Sequence, residues 1–172
     1  MKPMLQILAV TVLTLSLSSC LFKEPVFTEG FTPVDTSLAG VWMTDDESGD
    51  ARAREFAVLA PVGKDAYMLN YPVGAKGSSY FEVRTLKVGD QDVWQVRLAA
   101  TFEDGVPKND TPAYTLLLVK KVGDDKLDIL PLKSEGNHTA SAAATKKALE
   151  EKSPAWDKLF GDAKSFTRLK DR

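Results

Sequence analysis

One cysteine and one histidine in 172 residues remove several chemistries at once. A lone thiol has no intramolecular disulfide partner, so the fold stands on core burial and strand pairing. A lone imidazole, His138, excludes a multi-histidine metal site and any Ser-His-Asp arrangement built elsewhere. It sits in Gly136-Asn137-His138-Thr139, a loop just ahead of a helix, and reads as a solvent-exposed loop residue. No Gly-rich phosphate loop occurs. Basic residues number 22 against 24 acidic, with no long basic run, which argues against nucleic acid as a partner. The acidic run Asp45-Asp46-Glu47-Ser48-Gly49-Asp50 lacks the spacing and closing glutamate of a calcium loop, and reads as a solvated hairpin loop. No pair of carboxylates is singled out for acid–base work. The expectation is therefore a chain with no cofactor, no metal and no catalytic residues.

What the chain does have is alternation. Val41-Trp42-Met43 opens a β pattern. Glu55 to Ala60 continues it with Phe56, Val58 and Ala60 on one face, and Tyr67, Leu69 and Tyr71 alternate again. Phe81 and Val83 fall on one face but Leu86 and Val88 on the other, which a bulge near Thr85 would reconcile. The clearest strand is Val93 to Ala100, with Trp94, Val96, Leu98 and Ala100 pointing one way and Gln95 and Arg97 the other. Tyr114 to Val122 is apolar on both faces, so a second element must cover its outer side. Leu127 to Leu132 and Lys164 to Lys170 complete the strands. Three connections share one chemistry: Val62-Gly63-Lys64-Asp65, Val88-Gly89-Asp90-Gln91 and Val122-Gly123-Asp124-Asp125. A glycine and polar residues between apolar runs make tight hairpins, and successive hairpins make an antiparallel meander.

One helix is expected, over 139–152, capped by Thr139 or Ser141 and ended by Pro154. Its stripe of Ala140, Ala143, Ala144, Ala148 and Leu149 suits close packing on the strand at Tyr114–Val122.

The first twenty residues have the layout of an export signal. Lys2 leads into the mostly apolar run Leu5–Leu15, and Ser18 and Ser19 precede Cys20. Leu17-Ser18-Ser19-Cys20 resembles the lipobox of bacterial prolipoproteins. That resemblance implies removal of 1–19, acylation of Cys20 and attachment to a membrane. Leu21 rather than Asp follows the cysteine, which by the same resemblance implies the outer membrane. Residues 20–37, with two prolines and no clear period, are expected to be the lipidated tether. Phe27 and Phe31 are unusual for a spacer and suggest that it lies against the domain, with Phe22 near the lipid headgroups. A single domain would occupy 38–172.

Leu38-Ala39-Gly40-Val41-Trp42 resembles the Gly-x-Trp that opens the first strand of lipocalins and related calycin barrels. There an arginine from a late strand packs across the tryptophan and closes one end; Arg168, in Phe166-Thr167-Arg168, is the matching residue. The fold class is accordingly mainly β, an antiparallel meander of about eight strands forming a lipocalin-like barrel or curved sheet, with one helix before the last strand. A plain meander with a helix on one side is the alternative. In a hollow barrel Tyr67, Tyr71, Phe81, Trp94 and Tyr114 would line a site for a small apolar or amphipathic ligand. In a filled one they are core, and the chain is a non-catalytic envelope lipoprotein that serves a structural role or docks an envelope protein.

Overall fold

In the computed structural model, which describes residues 21–45, 54–74, 77–108, 113–134, 141–151 and 154–170, the hairpin glycines fold the chain into a closed ring of strands. In chain order these are β1 (Gly40–Thr44), β2 (Phe56–Val62), β3 (Ala66–Tyr71), β4 (Gly77–Val88), β5 (Gln91–Glu103), β6 (Val106–Lys108), β7 (Tyr114–Lys121), β8 (Lys126–Pro131) and β9 (Lys164–Arg168). Every pairing is antiparallel. The ring runs β1-β2-β3-β4-β5-β7-β8-β9 and closes where β9 pairs with β1, while the short β6 adds to the projecting end of β5. This is the eight-stranded, lipocalin-like barrel, with edges removed by closure. Helices α1 (Ala142–Leu149) and α2 (Trp156–Leu159) precede the last strand.

The three look-alike turns all lie at one end. Gly63, Gly89 and Gly123 take φ of +71, +57 and +79°, the left-handed region that glycine enters without steric cost. Short turns close that end; the longer connections gather at the other, which forms the mouth.

Two cores share the wall. Inside, Leu59, Tyr67, Val83, Trp94, Leu117 and Phe166 pack around Trp42. Outside, Leu86, Val93, Leu116 and Leu118 are covered by Phe22, Val26 and Phe27 from the N-terminal segment and by Ala148, Leu149, Leu159 and Phe160 from the helical region. The two-sided apolarity of β7 is thereby explained. So is the switch of faces along β4: Phe81 and Val83 point in, while Leu86 and Val88 belong to the outer core, with no bulge at Thr85. The irregularity sits instead between Tyr80 and Phe81, opposite Ala99, and it turns Ala100 away from the inward face of Trp94.

Two further expectations are corrected. Phe56, Val58 and Ala60 form the outward face of β2; Ala57 and Leu59 point in, because Trp42 pairs across from Ala57 and needs a small neighbour. The buried face of α1 is Thr145, Ala148 and Leu149, with Ala143 exposed. Ser141 caps α1, its Oγ accepting from the Ala144 N–H at 3.1 Å. The segment 21–37 lies against the barrel wall. Phe22 exchanges two 2.8 Å backbone hydrogen bonds with Tyr114 and is buried against the wall. The Gln95 side chain holds both the N–H (2.8 Å) and the carbonyl (3.0 Å) of Phe27. Thr32 donates its N–H to the Thr85 carbonyl at 2.7 Å.

The segment ends by capping the closed end of the barrel. Asp35 accepts from the Ser37 N–H at 2.9 Å, starting a 3-10 turn (Thr36–Leu38), and from Lys121 Nζ at 2.8 Å. Hydrogen bonds from Lys121 and then Ser37 hold its carboxyl down to about 2, from an ordinary 3.8. A depressed folded pKa gives stability that is present above the ordinary value and lost as pH falls through about 2. In an acid series of urea denaturations, the difference between wild type and Asp35→Asn should therefore be constant near neutrality and vanish toward pH 2. A difference that persists unchanged into that range would show that the carboxylate's charge contributes nothing.

Candidate functional site: the barrel interior and its mouth

Trp42 lies at the floor, 3% exposed, and donates its indole N–H to the Leu38 carbonyl at 3.0 Å. Arg168 is its direct cross-strand partner on β9. The guanidinium donates to the carbonyls of Ser37 (2.8 Å) and Ala39 (2.7 Å). The cation–ring contacts among the described residues are Arg84 on Phe31, Lys146 on Phe27 and Lys164 on Tyr71 and Phe166. The pair expected from the sequence thus meets where the barrel closes, with one correction. The arginine fastens the end through backbone carbonyls rather than by stacking on the indole. Gly40 makes room for it: φ is +144°, and a Cβ there would stand 3.1 Å from Arg168 Nε.

Above the floor, Tyr67 and Trp94 stack at 6.4 Å between centroids. The Tyr67 hydroxyl donates to the Asp35 carbonyl (2.9 Å) and accepts from the Asp35 N–H (2.6 Å), so this phenol is spent on structure. Burial pushes its pKa up. A cavity of about 110 Å³ remains above it, lined by Trp42, Leu59, Tyr71, Phe81, Trp94 and Phe166 among others. Tyr71, Phe81 and Trp94 line it. Tyr67 is core beside the cavity. Tyr114 is a correction: Thr115 and Leu117 line the interior, so Tyr114 points outward and packs against the outer core.

At the mouth three polar side chains meet. Lys164 Nζ donates to Glu55 Oε2 and to the Tyr71 hydroxyl, each at 2.7 Å, and Tyr71 donates to the same Glu55 oxygen. The ammonium stands 5.4 Å over the Tyr71 ring and 6.0 Å over Phe166. Burial, then the bond to Glu55 and its charge, hold the Tyr71 phenol far above its ordinary range. Its hydroxyl serves as a donor, and the three side chains together form a latch at the mouth. Sequence reasoning missed it. Glu55 and Lys164 are 109 residues apart, and only ring closure brings the starts of β2 and β9 to one rim.

Among the described residues no group of three or more His, Cys, Asp and Glu is placed to hold a metal ion. No helix described is long and apolar enough to cross a membrane. Cys20, His138 and most of the acidic run (46–50) lie outside the described residues; Asp45 itself accepts from Thr167 and Lys126.

No family model matches the chain, and no curated protein matches it. A solved structure, that of a DUF4909 family protein from Staphylococcus aureus subsp. aureus Mu50, is similar at 13% identity. The match covers 79% of this chain and 100% of that one, with a TM-score of 0.43. The barrel assignment rests on the strand pairing itself.

Proposed function

We propose that this is a non-catalytic lipoprotein of the bacterial envelope, held at the outer membrane by lipid on Cys20, with its barrel serving as a rigid structural or docking element. The observation that carries the reading is how closely the Leu17-Ser18-Ser19-Cys20 pattern adjoins the fold. The chain enters the barrel wall at Phe22, two residues after the cysteine, so the domain begins where the anchor ends. A largely filled interior and a mouth latched by paired side chains agree with a role that needs no turnover. Val41 and Phe56, over a third exposed on the outer faces of β1 and β2, leave that side open to an envelope partner.

The test is Cys20→Ser. Two acyl chains at about 0.8 kcal/mol per buried methylene make attachment effectively permanent, so the wild type should sediment almost wholly with membranes and the variant almost wholly without them. The mature mass should lose its acyl increment at the same time. Unchanged fractionation would overturn the reading.

A second reading, a binding module for a small apolar or amphipathic ligand, is favoured by the carbon-lined cavity with Lys164 at its entrance. At about 110 Å³ the space is smaller than the ~150 Å³ cavity that takes benzene, so it suits the tip of a chain and not a whole lipid. A native mass spectrum of the mature protein would show such a ligand beside the acyl mass, and its absence counts against this reading.

A further inference from the structure

The point where the chain joins the barrel also decides which end of the barrel meets the membrane. Phe22 pairs with Tyr114, the first residue of β7, and is buried against the wall there. Tyr114 stands at the rim of the mouth, the same end at which Lys164 opens β9 and Tyr71 ends β3. Two residues of chain span at most about 7 Å, so Cys20 is held within that distance of Phe22 whatever path the chain takes. β7 has eight residues, and eight residues at about 3.3 Å, tilted by about 40°, make a wall roughly 20 Å tall. The cysteine's reach is a fraction of that height. Lipid on Cys20 therefore cannot leave the closed end, with its Gly63, Gly89 and Gly123 turns, nearest the bilayer.

We infer that the mouth of the barrel, with the Glu55–Tyr71–Lys164 latch, faces the lipid headgroup layer, and that the closed end points away from it. This rests on the reading of Cys20 as the anchor. Leu21 (59% exposed) and Val106 (60%), at the tip of the hairpin that projects past the rim, are presented on that side, as is Phe56 at the start of β2. Val62 and Val122 are exposed at the closed end, so apolarity does not choose between the ends; the covalent reach does. One consequence is chemical. An amphipathic molecule reaching the cavity would come from the lipid layer, head toward Lys164 and tail inward.

The experiment uses the full chain expressed in a bacterium, extracted with its modification and reconstituted in vesicles of phosphatidylethanolamine and phosphatidylglycerol. A fluorescent non-natural amino acid is encoded in place of Val106 or of Val122, both exposed, and a spin label on the lipid headgroup is the quencher. Val106 stands beyond the rim and Val122 just past the last residue of β7, so more than roughly 20 Å separates them, and quenching at 106 should exceed that at 122 several-fold. Equal quenching, or more at 122, overturns the orientation. A mass spectrum of the same preparation separates the two claims. If Cys20 carries no acyl mass, the anchor reading fails; the orientation is then read from the chain coupled through the Cys20 thiol to a maleimide phospholipid, with the same two outcomes.

Discussion

Replacing Trp42 with alanine is expected to cost the barrel about 4 kcal/mol, the middle of the range for deleting a buried large aromatic. The side chain is 3% exposed, its indole N–H is satisfied by Leu38, and its ring helps line a cavity of about 110 Å³ that the deletion would enlarge. For a domain of this size about 4 kcal/mol lowers Tm by roughly 10–15 °C. Trp42→Phe keeps most of the volume and loses the bond to Leu38, so about 1–2 kcal/mol is expected. Circular dichroism is the probe, since the substitution removes a fluorophore. A cost under about 1 kcal/mol for Trp42→Ala would mean that Trp42 is not what the closed end is packed around. Arg168 is coupled to the same end by a different interaction. Arg168→Met should cost less, about 1–2 kcal/mol, because water can replace the guanidinium at the exposed Ser37 carbonyl more readily than at Ala39.

These two residues also show what was legible in the chain. Gly40-Val41-Trp42 and Arg168 could be matched because the close approach at Gly40 and the cross-strand pairing demand particular residue types at fixed places. The three hairpins were legible for the same reason: each glycine occupies a left-handed backbone position that other residues resist. The two-sided apolarity of β7 announced a covering layer. What stayed hidden depends on closure or on a segment with no period. Phe56, Val58 and Ala60 alternate as well as any core face, yet face out; only the register against Trp42, where Ala57 must sit, decides between the faces. Tyr114 has the same ambiguity on a strand buried on both sides. Glu55, Tyr71 and Lys164 come together only because β9 returns to β1. The N-terminal segment looked like a spacer because its contacts are irregular: one bridge at Phe22, one at Phe31 and a side-chain clamp between them. Gln95 read as a polar residue on an outward face, with no signal that a backbone would lie over it.

That clamp makes the second large effect. Gln95 is 5% exposed, and its amide serves both backbone groups of Phe27. Gln95→Met preserves the shape and strips Phe27 of its two partners beneath a buried ring. Leaving a buried donor and acceptor unpaired costs about 1–3 kcal/mol each, so about 3 kcal/mol is expected in all. The loss should be local before it is global. Phe22–Tyr114 and Thr32–Thr85 still fasten the two ends of the segment, so its middle opens first. About 3 kcal/mol corresponds to roughly a 100-fold rise in the amide exchange rate of Phe27 and its neighbours, while Val96 and Leu117 inside the barrel hardly change. If exchange at Phe27 is unaltered and stability falls by less than about 1 kcal/mol, burial of Phe22 and Phe27 holds the segment and the clamp is incidental.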